Sequence, residues 1–117
     1  MFRIMCKAKI HRARVTKVDL HYEGSIGIDK NLLKASNILP YEIVQVVNVN
    51  NGARFETYAF EEKAGSGVIG LYGAAARLGK KGDIVIILSN AIMNEENARK
   101  LKLRSIKVDK HNRPILK

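Results

Sequence analysis

A chain of 117 residues holds one domain, with room for a real core and too little for two. The composition is that of a globular protein, 46% hydrophobic and 27% charged with two prolines, and no run approaches the roughly 20 apolar residues a membrane span needs. A formal charge of +10 leaves three readings open: a solvated basic surface, attraction of a small dianion, or nucleic acid.

In chain order, residues 2–17 set isolated apolar side chains between basic ones, which predicts half-exposed strands. Residues 29–36 predict a short helix with Asp29 as its N-cap, ended by Asn37 ahead of Pro40. Residues 42–49 read as a strand, and Asn51-Gly52 predicts a tight turn into a second strand over residues 53–60, a hairpin. Gly65-Ser66-Gly67 breaks the chain before the apolar run 68–71. Residues 73–78 predict a helix of one or two turns closed by Gly79, and residues 83–88 a buried strand. Asn94 caps a short helix through Lys100, and residues 105–109 form a last strand.

A faint internal repeat, offset by about 41 positions, runs through this pattern. It sets Gly24-Ser25 against Gly65-Ser66, Ile28 against Ile69, Ala35 against Ala76, and Glu42-Ile43-Val44 against Asp83-Ile84-Val85. Each half runs strand, short helix, strand. Two interlocked halves of this kind suit a small closed barrel, which removes exposed strand edges.

The single Cys6 cannot form an internal disulfide, and the amino terminus shows no long apolar segment with a cleavage site. Both features point to the cytoplasm. The basic residues are dispersed rather than blocked, and aromatics are few, so platforms for stacking bases are hard to assemble. His11, His21 and His111 form no metal-ligand spacing with Cys6. Gly65-x-Gly67 is too short for a phosphate loop. The adjacent carboxylates Glu61-Glu62 and Glu95-Glu96 are expected to be solvated.

The Gly24–Ser25 bond carries the most chemistry. A serine hydroxyl beside a glycine carbonyl can attack it, because glycine adds no side chain and accepts unusual backbone angles. An ester would replace the amide, and elimination with hydrolysis would leave a pyruvoyl group. Lys9 and His11 share a strand face, as do Arg54 and Tyr58, since alternate strand residues point the same way. A guanidinium offers two parallel donors to a carboxylate, and an amine adds a point charge.

Lys9-Ile10-His11-Arg12, His21-Tyr22-Glu23-Gly24-Ser25, residues 48–58 and Gly73-Ala74-Ala75-Ala76 occur in that order. Together they resemble the pyruvoyl-dependent aspartate 1-decarboxylases, over residues 5–93 without a gap between motifs. The resemblance implies a six-stranded double-psi β-barrel with short helices, assembled as a homotetramer. It implies a single domain, residues 1–117, cut into a β chain (1–24) and an α chain (25–117). The cofactor would be the covalent pyruvoyl group made from Ser25, with no metal and no pyridoxal phosphate. The substrate would be L-aspartate, held as a Schiff base, and the product β-alanine for pantothenate and coenzyme A.

On the same resemblance, Ser25 and Tyr58 are the catalytic residues, with Tyr58 returning a proton to the α-carbon. Lys9, Arg54, Thr57, Gly73, Ala74 and Ala75 bind substrate, while His11, Tyr22 and Tyr72 surround them. Simple alternation places Thr57 opposite Tyr58, so a twist or bulge is required to bring it in. Tyr72 departs from the family, which usually has asparagine there, and the expectation is slower or incomplete cleavage. The resemblance leaves room for a maturation factor as a further partner. No membrane or nucleic-acid partner is expected. The competing reading is a non-catalytic basic barrel module that binds nucleic acid or protein and stays whole.

Overall fold

In the computed structural model, which describes residues 1–115, alternation shapes the longest strand. Along β1 (Phe2–Arg14), Ala8 and Ile10 are buried while Lys9 and His11 turn outward. Register shifts follow Cys6 and Ile10, and the second holds Arg12 at φ 63°, a bulge that returns Ala13 to the core. β1 leads to β2 (Lys17–Asp19), β3 (Ser25–Asp29), α1 (Lys30–Ser36), β4 (Ile43–Asn48), β5 (Arg54–Glu62) and β6 (Ile69–Tyr72). A 3₁₀ turn (Gly73–Leu78), β7 (Ile84–Asn94), α2 (Glu95–Lys100) and β8 (Arg104–Lys107) complete the described chain.

The fold is mainly β with short helices, as the sequence predicts. Among the described residues eight strands form one sheet, in the order β2-β6-β3-β5-β4-β7-β1-β8, against the six that the resemblance implies. The additional two stand at the ends of that order and are three and four residues long. Closure follows from connectivity. In a flat sheet, β1 and β2 would lie six strand spacings apart, roughly 29 Å. Only Val15 and Thr16 join them, and three Cα steps reach no more than about 11 Å. The sheet therefore curls into a small barrel. Backbone bonds from Val15 N–H to Asp83 C=O and from Thr16 N–H to Ile69 C=O, both 2.8 Å, carry the chain across.

The internal repeat is visible in the register. β3–α1–β4 forms one half, and β6, the 3₁₀ turn and β7 form the other. Ile28 pairs with Ile69 where β3 meets β6, and Val46 pairs with Ile87 where β4 meets β7, both antiparallel. Equivalent positions facing each other at two separate crossings is what a local twofold axis requires. The isoleucines and valines on these inner faces make one core around Ile10, Ile28, Leu32, Val46, Ile69 and Ile87.

Several boundaries move for physical reasons. β7 extends past Leu88 to Asn94 because it pairs with β1 out to Phe2. The hairpin's last pair is Val47 with Arg54, so the turn is wider than Asn51-Gly52 alone. Buried Asn48 organises it, accepting the N–H groups of Asn50 and Asn51 while its amide donates to the Leu78 carbonyl and to Asp83. Residues 73–78 are 3₁₀ rather than α-helix. The caps at Asp29, Asn37 (φ 57°) and Asn94 stand where expected.

Candidate active site

β3 lies between β5 and β6, and its alternation divides two environments. Ile26 and Ile28 enter the core together with Ala59 of β5 and with Ile69 and Leu71 of β6. The opposite face carries Ser25 and Gly27 on β3, Tyr58, Phe60 and Glu62 on β5, and Gly70 and Tyr72 on β6. Ser25 opens β3 opposite Tyr72, with φ 158°, and is only 2% exposed. It lines a cleft of about 190 Å³ with Tyr22, Glu23, Tyr41, Tyr58 and Phe60. That volume is below the roughly 300–1,000 Å³ of sites for drug-sized ligands and suits a small metabolite.

The bond before Ser25 is packed against backbone. Gly73 has φ 64°, and a Cβ there would sit 2.6 Å from the Gly24 Cα and 2.8 Å from the Gly24 nitrogen. Only glycine allows both that dihedral and that approach. From the other side, the Tyr72 carbonyl oxygen and the Ala74 nitrogen lie 3.6 and 3.9 Å from where a Gly24 Cβ would stand. Ala74 is exposed and Ala75 buried. The second Gly-Ser has no such setting, since Ser66 is an exposed turn residue whose hydroxyl accepts the Val68 N–H.

Tyr72 is 3% exposed, and its hydroxyl donates to the Glu62 carboxylate at 2.5 Å. Its ring packs on Tyr22 and Phe60, with centroids 5.1 and 5.4 Å away, and the Lys17 ammonium stands 5.7 Å from its centre. Burial first, and then the Glu62 carboxylate, push the Tyr72 phenol above its ordinary pKa. Glu62, expected from its neighbour Glu61 to be solvated, is instead partly buried and engaged by this bond.

Within one chain the cleft unites Ser25, Tyr22 and Tyr58, with Gly24, Gly73, Ala74 and Tyr72 beside it. Lys9, Arg54, Thr57 and His11 do not line it. Lys9 sits on β1 between Leu88 and Ser105. Arg54 opens β5 opposite Val47, four residues or about 13 Å along the strand from Tyr58. Thr57 pairs with Val44, in a stretch of β4–β5 whose register runs without a bulge. His11 lines a separate crevice of about 430 Å³ with Arg12, Arg14, Lys107 and Lys110. Its buried Nδ1 has no hydrogen-bond partner among the described residues. Burial, then Lys9, Arg12 and Lys107, hold its pKa below the usual value.

Sequence reasoning missed Phe60, Glu62 and Tyr41. Period-two spacing from Tyr58 could have found the first two. Tyr41 carries no such signal; a φ of 71° after Pro40 brings its ring 6.1 Å from that of Tyr58. Among the described residues, no three His, Cys, Asp or Glu side chains are grouped as metal ligands.

Residues 1–115 match the family model described as aspartate decarboxylase. The aspartate 1-decarboxylase of Thermoanaerobacter pseudethanolicus is 57% identical over 115 residues, covering 98% of each chain. That of Kosmotoga olearia is 56% identical over 117 residues and the full length of both. That of Syntrophobacter fumaroxidans is 53% identical, over 98% of this chain and 93% of its own. Identity above one half along the whole length, on a barrel with this cleft, leaves one conclusion: the chain belongs to the aspartate decarboxylase enzyme family.

Proposed function

We propose that this chain cleaves itself between Gly24 and Ser25 and then converts L-aspartate to β-alanine and carbon dioxide. The supporting observation is the setting of that bond, at a small cleft lined by Ser25 and Tyr58 and packed against the Gly73 backbone. In the first step the Ser25 Oγ adds to the Gly24 carbonyl carbon. The amide C–N bond breaks, an ester forms, and the freed nitrogen takes the hydroxyl proton. Loss of the Ser25 α-proton expels the Gly24 carboxylate from Cβ. Water then displaces the nitrogen as ammonia, leaving a keto group at the start of residues 25–117.

The fit of a pyruvoyl group rests on Ser25 being buried at the cleft behind a residue without a side chain. Such a group supplies a ketone for the substrate amine and a sink for the electrons left by the departing carboxylate. Tyr58 stands in the same cleft and, as general acid, gives its phenolic proton to the α-carbon. The Ala74 N–H lies beside Gly24 and is free of a side chain large enough to block approach. Gly73, Ala74 and Ala75 offer backbone to the substrate, and Thr57 joins Lys9 and Arg54 as its side-chain contacts.

Lys9 and Arg54 suit the two carboxylates of aspartate but stand outside the Ser25 cleft of their own chain. We therefore read the complete site as shared between copies in a homotetramer. Phe2, Ile4 and Ile92 support this: they are 74%, 74% and 73% exposed along paired β1 and β7, an apolar face of the kind that subunits cover. Among the described residues no helix is long and apolar enough to cross a membrane. We assign the enzyme to the cytoplasm, with its product feeding pantothenate and coenzyme A synthesis.

Intact-mass analysis of the purified protein tests the first step. The expected result is two fragments, one ending at Gly24 and one beginning with a keto-acid cap, and carbon dioxide release from L-aspartate. Cleavage that proceeds in isolated precursor after purification means that no helper protein is required. A single continuous chain that nonetheless decarboxylates aspartate overturns the proposal.

A further inference from the structure

Gly27 of β3 and Gly70 of β6 are direct partners in the sheet. Two facing glycines leave a slot on the site face, and two side chains fill it. A Cβ on Gly27 would collide with the Glu62 carboxylate, and one on Gly70 with the Tyr72 hydroxyl. Over this slot those two groups meet, at 2.5 Å. The contact is thus built from four positions on three strands: one glycine each from β3 and β6, the acceptor from β5, and the donor from the end of β6.

The same tyrosine touches every segment that flanks the Gly24–Ser25 bond. Its backbone pairs with Ser25 on one side and with Asp19 of β2 on the other. Its ring meets Tyr22 in the exposed segment just before the bond, and Phe60 in the wall of the cleft. Lys17 of β2 stands against the ring. Its carbonyl oxygen lies beside Gly24. Its hydroxyl, by contrast, points along the sheet to Glu62.

We propose that Tyr72 and Glu62 act as a pair of positioning residues that brace the Gly24–Ser25 bond, with the Gly27–Gly70 slot as their seat. The inference rests on the self-cleavage reading and extends it. The hydroxyl–carboxylate bond fixes the Tyr72 ring, and the ring fixes the segment holding Tyr22 and the backbone facing Gly24 and Ser25. Near-attack geometry at the scissile carbonyl depends on how well that segment is held. Neither side chain need touch the bond.

The test follows cleavage of freshly purified precursor by intact mass in the full-length chain, with folding checked by circular dichroism. Tyr72→Phe and Glu62→Ala remove the donor and the acceptor respectively. Each is expected to slow cleavage roughly tenfold to a hundredfold. Glu62→Gln retains the bulk and a carbonyl acceptor and is expected to cleave near the parent rate. Glu62→Leu keeps comparable bulk without an acceptor and is expected to be as slow as Glu62→Ala, a difference that mere loss of packing would not show. Tyr72→Asn installs the usual family residue without the brace, and slower cleavage is expected there too, the reverse of what the resemblance alone implies. Parent-like rates in both Tyr72→Phe and Glu62→Ala, or faster cleavage in Tyr72→Asn, overturn the proposal. If one variant does not fold, the rate of the other decides. Ser25→Ala separates the two ideas: cleavage in that variant sinks the self-cleavage reading. A whole Ser25→Ala chain beside parent-like Tyr72→Phe and Glu62→Ala sinks only the brace.

Discussion

At Gly73 the backbone turns through φ 64° within 2.6 Å, measured from a hypothetical Cβ, of the Gly24 Cα. Two costs coincide there for any other residue, a left-handed dihedral and a clash with backbone that cannot swing aside. Gly73→Ala is expected to lose about 2 kcal/mol of stability, read from the urea midpoint, and to leave Gly24–Ser25 uncut. Tyr58 offers the converse case: on the proposed mechanism its hydroxyl matters after cleavage and not before. Tyr58→Phe keeps the ring that packs near Tyr41. It is expected to cleave normally and to lose roughly 10²–10⁴-fold in carbon dioxide release, measured on the mature protein.

Between elements, a few buried polar side chains hold the barrel's connections. Asp29 caps α1 through the Asn31 N–H at 2.8 Å and also accepts the N–H groups of Gly65 at 3.0 Å and Gly67 at 2.8 Å. It thus ties the end of β3 to the loop before β6, one half of the repeat to the other. Asp29→Ala would strand three donors beside a buried site. The expected cost is about 3 kcal/mol by chemical denaturation, above that of an ordinary N-cap. Asn112 does the same for the C-terminal segment, giving its amide to the Arg14 and Gly67 carbonyls and accepting the Arg14 N–H, all at 2.7–2.8 Å. The motifs behind the resemblance end before the tail, yet the family match runs on to residue 115, and Asn112 stitches that tail to β1.

For the whole molecule, acid acts through groups that the fold holds below their ordinary values. Burial raises Glu42, but the Ser89 hydroxyl, the Leu39 N–H and Lys7 outweigh it and hold its carboxyl below the usual range. The Asn48 amide and the Lys80 N–H lower Asp83, and the Arg113 and His111 N–H groups lower Asp109. A carboxylate depressed in the fold contributes stability above its unfolded pKa, lost as pH falls through the folded value. His11 is a base depressed in the fold, so it stays neutral while the unfolded chain takes a proton below 6.5. Its effect on stability also weakens the fold as pH drops. The thermal midpoint is expected to be level between about pH 7 and 9, to decline below 6.5, and to fall again below about pH 4. It is also expected to fall in alkali above about pH 10, where the unfolded chain gives up the Tyr72 proton that the fold retains. His11→Gln should remove the first acid decline only; a midpoint that rises on acidification from neutral pH contradicts the assignment.

Local signals sufficed wherever the physics is local. Strand alternation in β1, the caps at Asp29, Asn37 and Asn94, and the two-halved repeat could all be read from neighbouring residues. So could the Gly24–Ser25 pair with its family motifs, because such features depend on dihedral preference, period and spacing. What only the tertiary structure decided involves residues far apart in sequence. Curling of the sheet brings β2 to β6 and sets Gly73 against Gly24. Facing glycines at 27 and 70 seat Tyr72 on Glu62, which the sequence had left to solvent. The cleft gathers Tyr41 and Phe60 around Ser25 while Lys9 and Arg54 stay outside. No window of sequence carries such pairings, since they are fixed by which strands become neighbours when the core closes.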